Sequence, residues 1–79
     1  MFGIGIDVSK ATLDVAVHEE QFRQFSNDKR GFVSLIRWLK KWPIKQVVLE
    51  ASGGYEHAVL DALHAAGLPM VRINPARAR

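Results

Sequence analysis

Apolar and polar residues alternate with a period of two at the start of the chain. Phe2, Ile4, Ile6 and Val8 fall on one face, and Gly3, Gly5, Asp7 and Ser9 on the other. The pattern predicts a first strand with one core face, carrying a carboxylate near its C-terminal end. After a turn at Lys10-Ala11-Thr12, Leu13, Val15 and Val17 alternate with Asp14, Ala16 and His18, which predicts a second, half-exposed strand. Glu19-Glu20 breaks the pattern, and Gln21-Phe22-Arg23-Gln24-Phe25 reads as a short, polar third strand close to a sheet edge. Three strands in a meander are the economical arrangement.

The period then changes. Phe32, Leu35, Ile36 and Leu39 recur at helical spacing between Asn27, a good N-cap with Asp28 in the first turn, and Pro43, so a first helix is expected over 28–42. Gln46-Val47-Val48-Leu49-Glu50-Ala51 shows no polar alternation until Glu50, as expected for a fourth strand buried on both faces in a parallel part of a sheet. Ser52-Gly53-Gly54 breaks the chain ahead of a second helix over 55–66, whose apolar stripe is Val59, Leu60, Leu63 and Ala66 and whose C′ residue is Gly67. Met70-Val71-Arg72-Ile73 reads as a fifth strand, ended by Asn74-Pro75 ahead of a basic tail with Arg77 and Arg79.

Composition adds limits. Seventy-nine residues form one small domain, 1–79, with no repeat or internal linker. At 48% hydrophobic and 24% charged residues the chain is neither disordered nor membrane-spanning in character. A net charge of +3 permits a nucleic-acid partner without demanding one. The absence of cysteine excludes a disulfide framework and a thiolate metal site. With no signal peptide ahead of the first strand, a cytoplasmic location is expected.

The order of elements is a mixed α/β pattern. A right-handed helical crossover from the meander returns the fourth strand beside the first as its parallel neighbour, giving the sheet order 3-2-1-4-5. The chain leaves the first and fourth strands toward opposite sides of the sheet, so a crevice opens beyond their carboxyl ends, with Asp7 and Glu50 beside it. Two converging carboxylates repel each other, and a hard divalent cation such as Mg²⁺ or Mn²⁺ relieves that repulsion through oxygen ligands. Metal-assisted phosphoryl chemistry is the expectation, although Asp7 alone equally suits a turn with Ser9. Asp14 is a third carboxylate that can approach, but its alternation suits a solvent-facing position better. Asp28 and Asp61 read as capping or helix-surface residues.

Three stretches together resemble the N-terminal part of insertion sequence 110 family transposases. They are Gly5-Ile6-Asp7-Val8-Ser9-Lys10, then Val48-Leu49-Glu50-Ala51-Ser52-Gly53-Gly54-Tyr55-Glu56, then Val71-Arg72-Ile73-Asn74-Pro75-Ala76-Arg77-Ala78-Arg79. The resemblance spans the chain. It implies an RNase H-like, RuvC-type nuclease domain with a DEDD set of acids, acting through Mg²⁺ or Mn²⁺ on DNA in transposition, with phosphodiester cleavage and strand transfer. The first Asp of the set falls on Asp7 and the Glu on Glu50, as catalytic and metal-binding residues. The remaining two acids and a second domain have no counterpart here, so the resemblance implies an N-terminal fragment, truncated before the last helix and inactive alone. DNA is the implied partner, with a guide RNA for the intact family member and no membrane. Homo-oligomerisation is expected because a missing later helix would leave apolar sheet surface of Ile4, Ile6, Val47 or Leu49 uncovered.

Lys10, Arg72, Arg77 and Arg79 are minor candidates for contact with nucleic acid. Ser52-Gly53-Gly54 suits helix capping as well as a phosphate. Arg37, Lys40, Lys41 and Lys45 interleave with Trp38 and Trp42, but tryptophans four apart read better as cover for the sheet, with the lysines as the solvated face. His57 and His64, seven apart, are too distant for one tetrahedral site and are read as structural or surface residues. Two rival functions remain at this point. An actin-like or sugar-kinase-like ATPase also begins with a Gly-Ile-Asp strand but needs glycine or threonine where this chain has Val8-Ser9-Lys10. A noncatalytic binding module would have no use for converging Asp7 and Glu50.

Overall fold

The computed structural model describes residues 2–17, 21–51 and 53–73. Its elements are β1 (Phe2–Val8), β2 (Thr12–Val17), β3 (Gln21–Ser26), α1 (Lys29–Leu39), β4 (Ile44–Ala51), α2 (His57–Ala65) and β5 (Met70–Ile73). They form one mixed sheet in the order β3-β2-β1-β4-β5, as the crossover argument required. β1 pairs antiparallel with β2 and β2 with β3, while β1 pairs parallel with β4 and β4 with β5. This five-stranded α/β arrangement with two helices is consistent with an RNase H-like fold.

Chain order and handedness decide where the helices sit. β3, β4 and β5 point the same way, and the crossovers through α1 and α2 advance in the same direction across the sheet. Two right-handed crossovers advancing the same way lie on the same face. The burial pattern follows from this. Ile4, Ile6, Val8, Leu13, Val15, Val17, Phe25, Val47 and Leu49 are buried from the sheet, and Phe32, Leu35, Trp38, Leu39, Val59 and Leu63 meet them from the helices. Each fully buried Leu or Ile contributes roughly 1.5–3 kcal/mol relative to exposure.

The same geometry corrects two expectations. β4 is not buried on both faces: Val47 and Leu49 are fully covered, whereas Gln46 and Glu50 are exposed and Val48 is half-buried, because no described helix lies on the second face. Nor are Ile4, Ile6, Val47 or Leu49 the uncovered apolar surface, since all four are at most 2% exposed beneath the helices. The open face instead carries Gly3, Gly5, Ala16, Val48 and the exposed Phe22 and Val71.

Helix boundaries are set one to three residues from those expected. The N-cap of α1 is Asp28 and not Asn27: Asp28 has extended backbone (φ −155°, ψ 178°), and its Oδ1 accepts from the Gly31 N–H at 2.8 Å and from the Ser26 hydroxyl at 2.9 Å. Asn27 is used elsewhere, as described below. The first turn of α1 packs tightly on the end of β3, where a Cβ on Gly31 would overlap the Ser26 carbonyl. α1 stops at Leu39, before the expected end at Trp42. α2 begins at His57 because residues 53–56 form a turn, and it ends ahead of Gly67 at φ 80°.

Two predictions follow from this packing. Leu35→Ala, at a fully buried site between α1 and the sheet, should lower the unfolding free energy by about 2–5 kcal/mol in urea titration. Val33→Ala, at an exposed position of the same helix, should change it by less than about 0.5 kcal/mol. The Asp28 carboxyl is held below its ordinary pKa, chiefly by the Gly31 N–H and then by the Ser26 hydroxyl. A depressed folded-state pKa stabilises the fold above the unfolded value and is lost as pH falls through the folded value. Asp28→Asn should therefore remove a part of the acid sensitivity of the melting temperature below about pH 4, with little change in that sensitivity near neutrality.

Candidate active site

The turn after β1 closes as a hairpin. The Ser9 N–H donates to the Thr12 carbonyl at 3.0 Å and the Ser9 and Thr12 hydroxyls lie 2.8 Å apart, so Lys10 and Ala11 form its tip. A turn centred there fixes the register Val8↔Leu13, Asp7↔Asp14 and Ile6↔Val15. On the other side of β1 the parallel register pairs Asp7 with Glu50. The next pairings are Asp14↔Gln24 and Glu50↔Ile73. A single transverse row therefore runs Gln24, Asp14, Asp7, Glu50, Ile73 across all five strands.

Neighbouring strands are about 4.8 Å apart, so the three carboxylates of this row stand on adjacent strands. Asp7, Asp14 and Glu50 are exposed and share the open face. Exposure keeps the repulsion between like charges low, since two unit charges 4 Å apart interact by only about 1 kcal/mol in water. Gln24 Nε2 donates to Asp14 Oδ1 at 2.8 Å and holds one end of the row.

Two residues back along β1, on the same face, the next row runs Phe22, Ala16, Gly5, Val48, Val71. Gly5 has no side chain, and a Cβ placed on it would find nothing within 4 Å. The missing side chain leaves a concavity of about 300 Å³, walled by Ala16, Phe22 and Val48 and bordered by Asp7, Asp14 and Glu50. The three acids thus face a hollow on the open face as well as one another.

The loops at this end are tied together by Asn27. Its Nδ2 donates to the Ser9 carbonyl at 2.9 Å and to the Tyr55 carbonyl at 3.1 Å, and its own N–H donates to Ala11 at 2.9 Å. One side chain therefore links the loop after β1 with the loop after β4, where Gly53 and Gly54 turn the chain at φ 84° and 78°. Glu56, beside that turn, is a buried carboxylate whose Oε2 lies 3.9 Å from His57 Nε2.

The structure therefore brings Asp7 and Glu50 together, with Lys10 exposed at the adjoining hairpin tip. Asp14 is solvent-facing as expected, on the same face as Asp7 and directly opposite it. The sequence allowed this approach without fixing it, and a two-residue hairpin tip at Lys10-Ala11 is the signal that sets the register. The side chain of Arg72, and Arg77 and Arg79 altogether, lie outside the described residues, as does Ser52. His57 and His64 are exposed on α2. Trp38 is buried against Phe25 with ring centroids 5.6 Å apart, and Trp42 packs edge-on to it at 4.9 Å, so both cover the sheet. No described helix is long and apolar enough to cross a membrane.

A family model described as Transposase, that of the DEDD transposases of insertion sequence 110, matches residues 4–79. The chain belongs to this family. Membership sets the ATPase reading aside. It makes the chain a transposase domain and implies DNA as its partner. No curated protein matches the chain.

A Cβ on the floor of the hollow meets no neighbour within 4 Å. Gly5→Val should leave the fold intact and raise its stability by up to about 1 kcal/mol through strand propensity. Urea unfolding checks the sign, and a loss of more than about 1 kcal/mol would show that the floor is not open.

Proposed function

We propose that this transposase domain is the N-terminal part of a RuvC-like nuclease domain. In this reading Asp7 and Glu50 supply carboxylate oxygens to a divalent cation, Mg²⁺ or Mn²⁺, for phosphodiester cleavage and strand transfer in DNA transposition. The observation that carries it is the register pairing of Asp7 with Glu50 on neighbouring parallel strands, exposed beside a hollow. The donor set fits a hard cation, because every acidic side chain in the row offers oxygen. Among the described residues no three His, Cys, Asp or Glu side chains are gathered closely enough to enclose an ion. The two carboxylates are thus a partial ligand set, which suits an ion that keeps several waters.

Such an ion, when bound, polarises a phosphoryl oxygen and favours an attacking hydroxide. The remaining work falls to the chain. Asp7 and Glu50 extend from strand ends held by the sheet, so their separation is fixed by backbone pairing. Gly5 keeps the face in front of them clear for a sugar-phosphate segment. Asp14, engaged by Gln24, adds negative charge to the row and raises its attraction for cations. Lys10, Arg72, Arg77 and Arg79 are proposed phosphate contacts of this substrate.

Isothermal titration with Mn²⁺ tests the reading. The wild-type chain should bind weakly, and Glu50→Gln or Asp7→Asn should each weaken binding at least about tenfold while circular dichroism stays unchanged. Binding unaffected by either substitution would refute the assignment.

A further inference from the structure

A second surface lies on the helix-covered side of the sheet edge, away from the carboxylate row. β3 alternates, so Arg23 points toward α1 while Phe22 and Gln24 belong to the open face. The Arg23 guanidinium lies 5.4 Å from the Phe25 ring centroid and 5.9 Å from that of Trp38, a cation–π seating that fixes its direction. Facing it across a groove is one stripe of α1 and the turn beyond: Arg30, Ser34, Arg37 and Lys41, at helical spacings of four, three and four. Two adjoining concavities, of about 380 and 170 Å³, make up this groove and share Arg23 and Ser34.

The groove is strongly basic. Arg23, Arg30, Arg37 and Lys41 line it, and none of them forms an ion pair among the described residues. Its one carboxylate, Asp28, is engaged by the Gly31 N–H and the Ser26 hydroxyl. Four exposed cations lining one groove, Arg23 from β3 and the other three from α1 and the turn beyond it, favour a polyanion. Two observations narrow the class. A membrane surface would need the apolar face of α1, but Phe32, Leu35, Trp38 and Leu39 are buried against the sheet. A single strand would need exposed rings for its bases, but Phe25 and Trp38 are buried.

We infer that the β3–α1 groove, through Arg23, Arg30, Arg37 and Lys41, binds the phosphate backbone of duplex DNA without reading its sequence. From Arg30 to Arg37 the helix rises about 10.5 Å, comparable with three base-pair steps along a duplex axis at roughly 3.4 Å each. The groove and the carboxylate row lie on opposite sides of the sheet, so the groove anchors duplex outside the proposed cleavage cleft. The inference stands independently of metal binding by Asp7 and Glu50.

The test is fluorescence anisotropy with a 20-base-pair duplex over a range of salt concentrations. The full chain is compared with R37Q/K41Q and with K29Q/K45Q, which removes the same charge from exposed positions off the groove. R37Q/K41Q should bind about ten- to a hundredfold more weakly at 0.1 M salt and lower the slope of log K against log salt by about 2. K29Q/K45Q should lose less than about a third of that, and D7N/E50Q should bind at least as well as the unaltered chain. Equal losses from R37Q/K41Q and K29Q/K45Q would mean that only bulk charge matters and would overturn the inference. So would an unchanged R37Q/K41Q, or tighter binding of a single strand of the same sequence.

Discussion

The parallel pairing of β1 with β4 is the constraint on which the rest of the structure depends. Among the described residues it is the only pairing that joins the meander to the crossover half of the sheet. The pairing forces a right-handed return through α1, and the second crossover then advances the same way. Both helices accordingly share a face, and the core forms between them and the inward side of the strands. The other side stays open among the described residues, and there Asp7, Asp14 and Glu50 stand in line.

That division explains how a domain this small sets three carboxylates in one row on adjacent strands. Burying them would carry a desolvation cost of several kcal/mol per ion. Set on the wet side of a sheet whose dry side is fully packed, they cost little in water, yet their spacing is imposed by the backbone ladder. Glycine at position 5 completes the arrangement, since the face needs a gap beside the acids and the opposite face already supplies the packing. Asn27 reinforces it from the loop side, joining the chain after β1 to the chain after β4 through two carbonyls.

Much of this was legible in the sequence, for reasons particular to each element. The alternation of residues 2–8 gave the core face of β1 directly, and with one crossover rule it gave the strand order and the meeting of Asp7 with Glu50. β4 was misjudged because a run such as Val47-Val48-Leu49 reads alike whether one face or two are covered; the direction of the second crossover decides it. Asn27 and Asp28 are both good caps, and tertiary contact settled the choice, since Asn27 is drawn to Ser9 and Tyr55. The basic groove was legible only in part. Arg37 and Lys41 were weighed as a nucleic-acid surface and set aside as a solvated face, and Arg23, fourteen positions from Arg37, becomes their neighbour only through the seating of α1 against β3.

The most direct test of the central claim is paramagnetic broadening of backbone amide signals by substoichiometric Mn²⁺. If Asp7 and Glu50 jointly hold the ion, broadening should centre on Asp7, Val8 and Glu50, extend to Asp14 on the neighbouring strand, and spare α1. Broadening centred on Glu56, His57 or Asp61, or spread evenly over the acidic residues of the chain, would contradict the account.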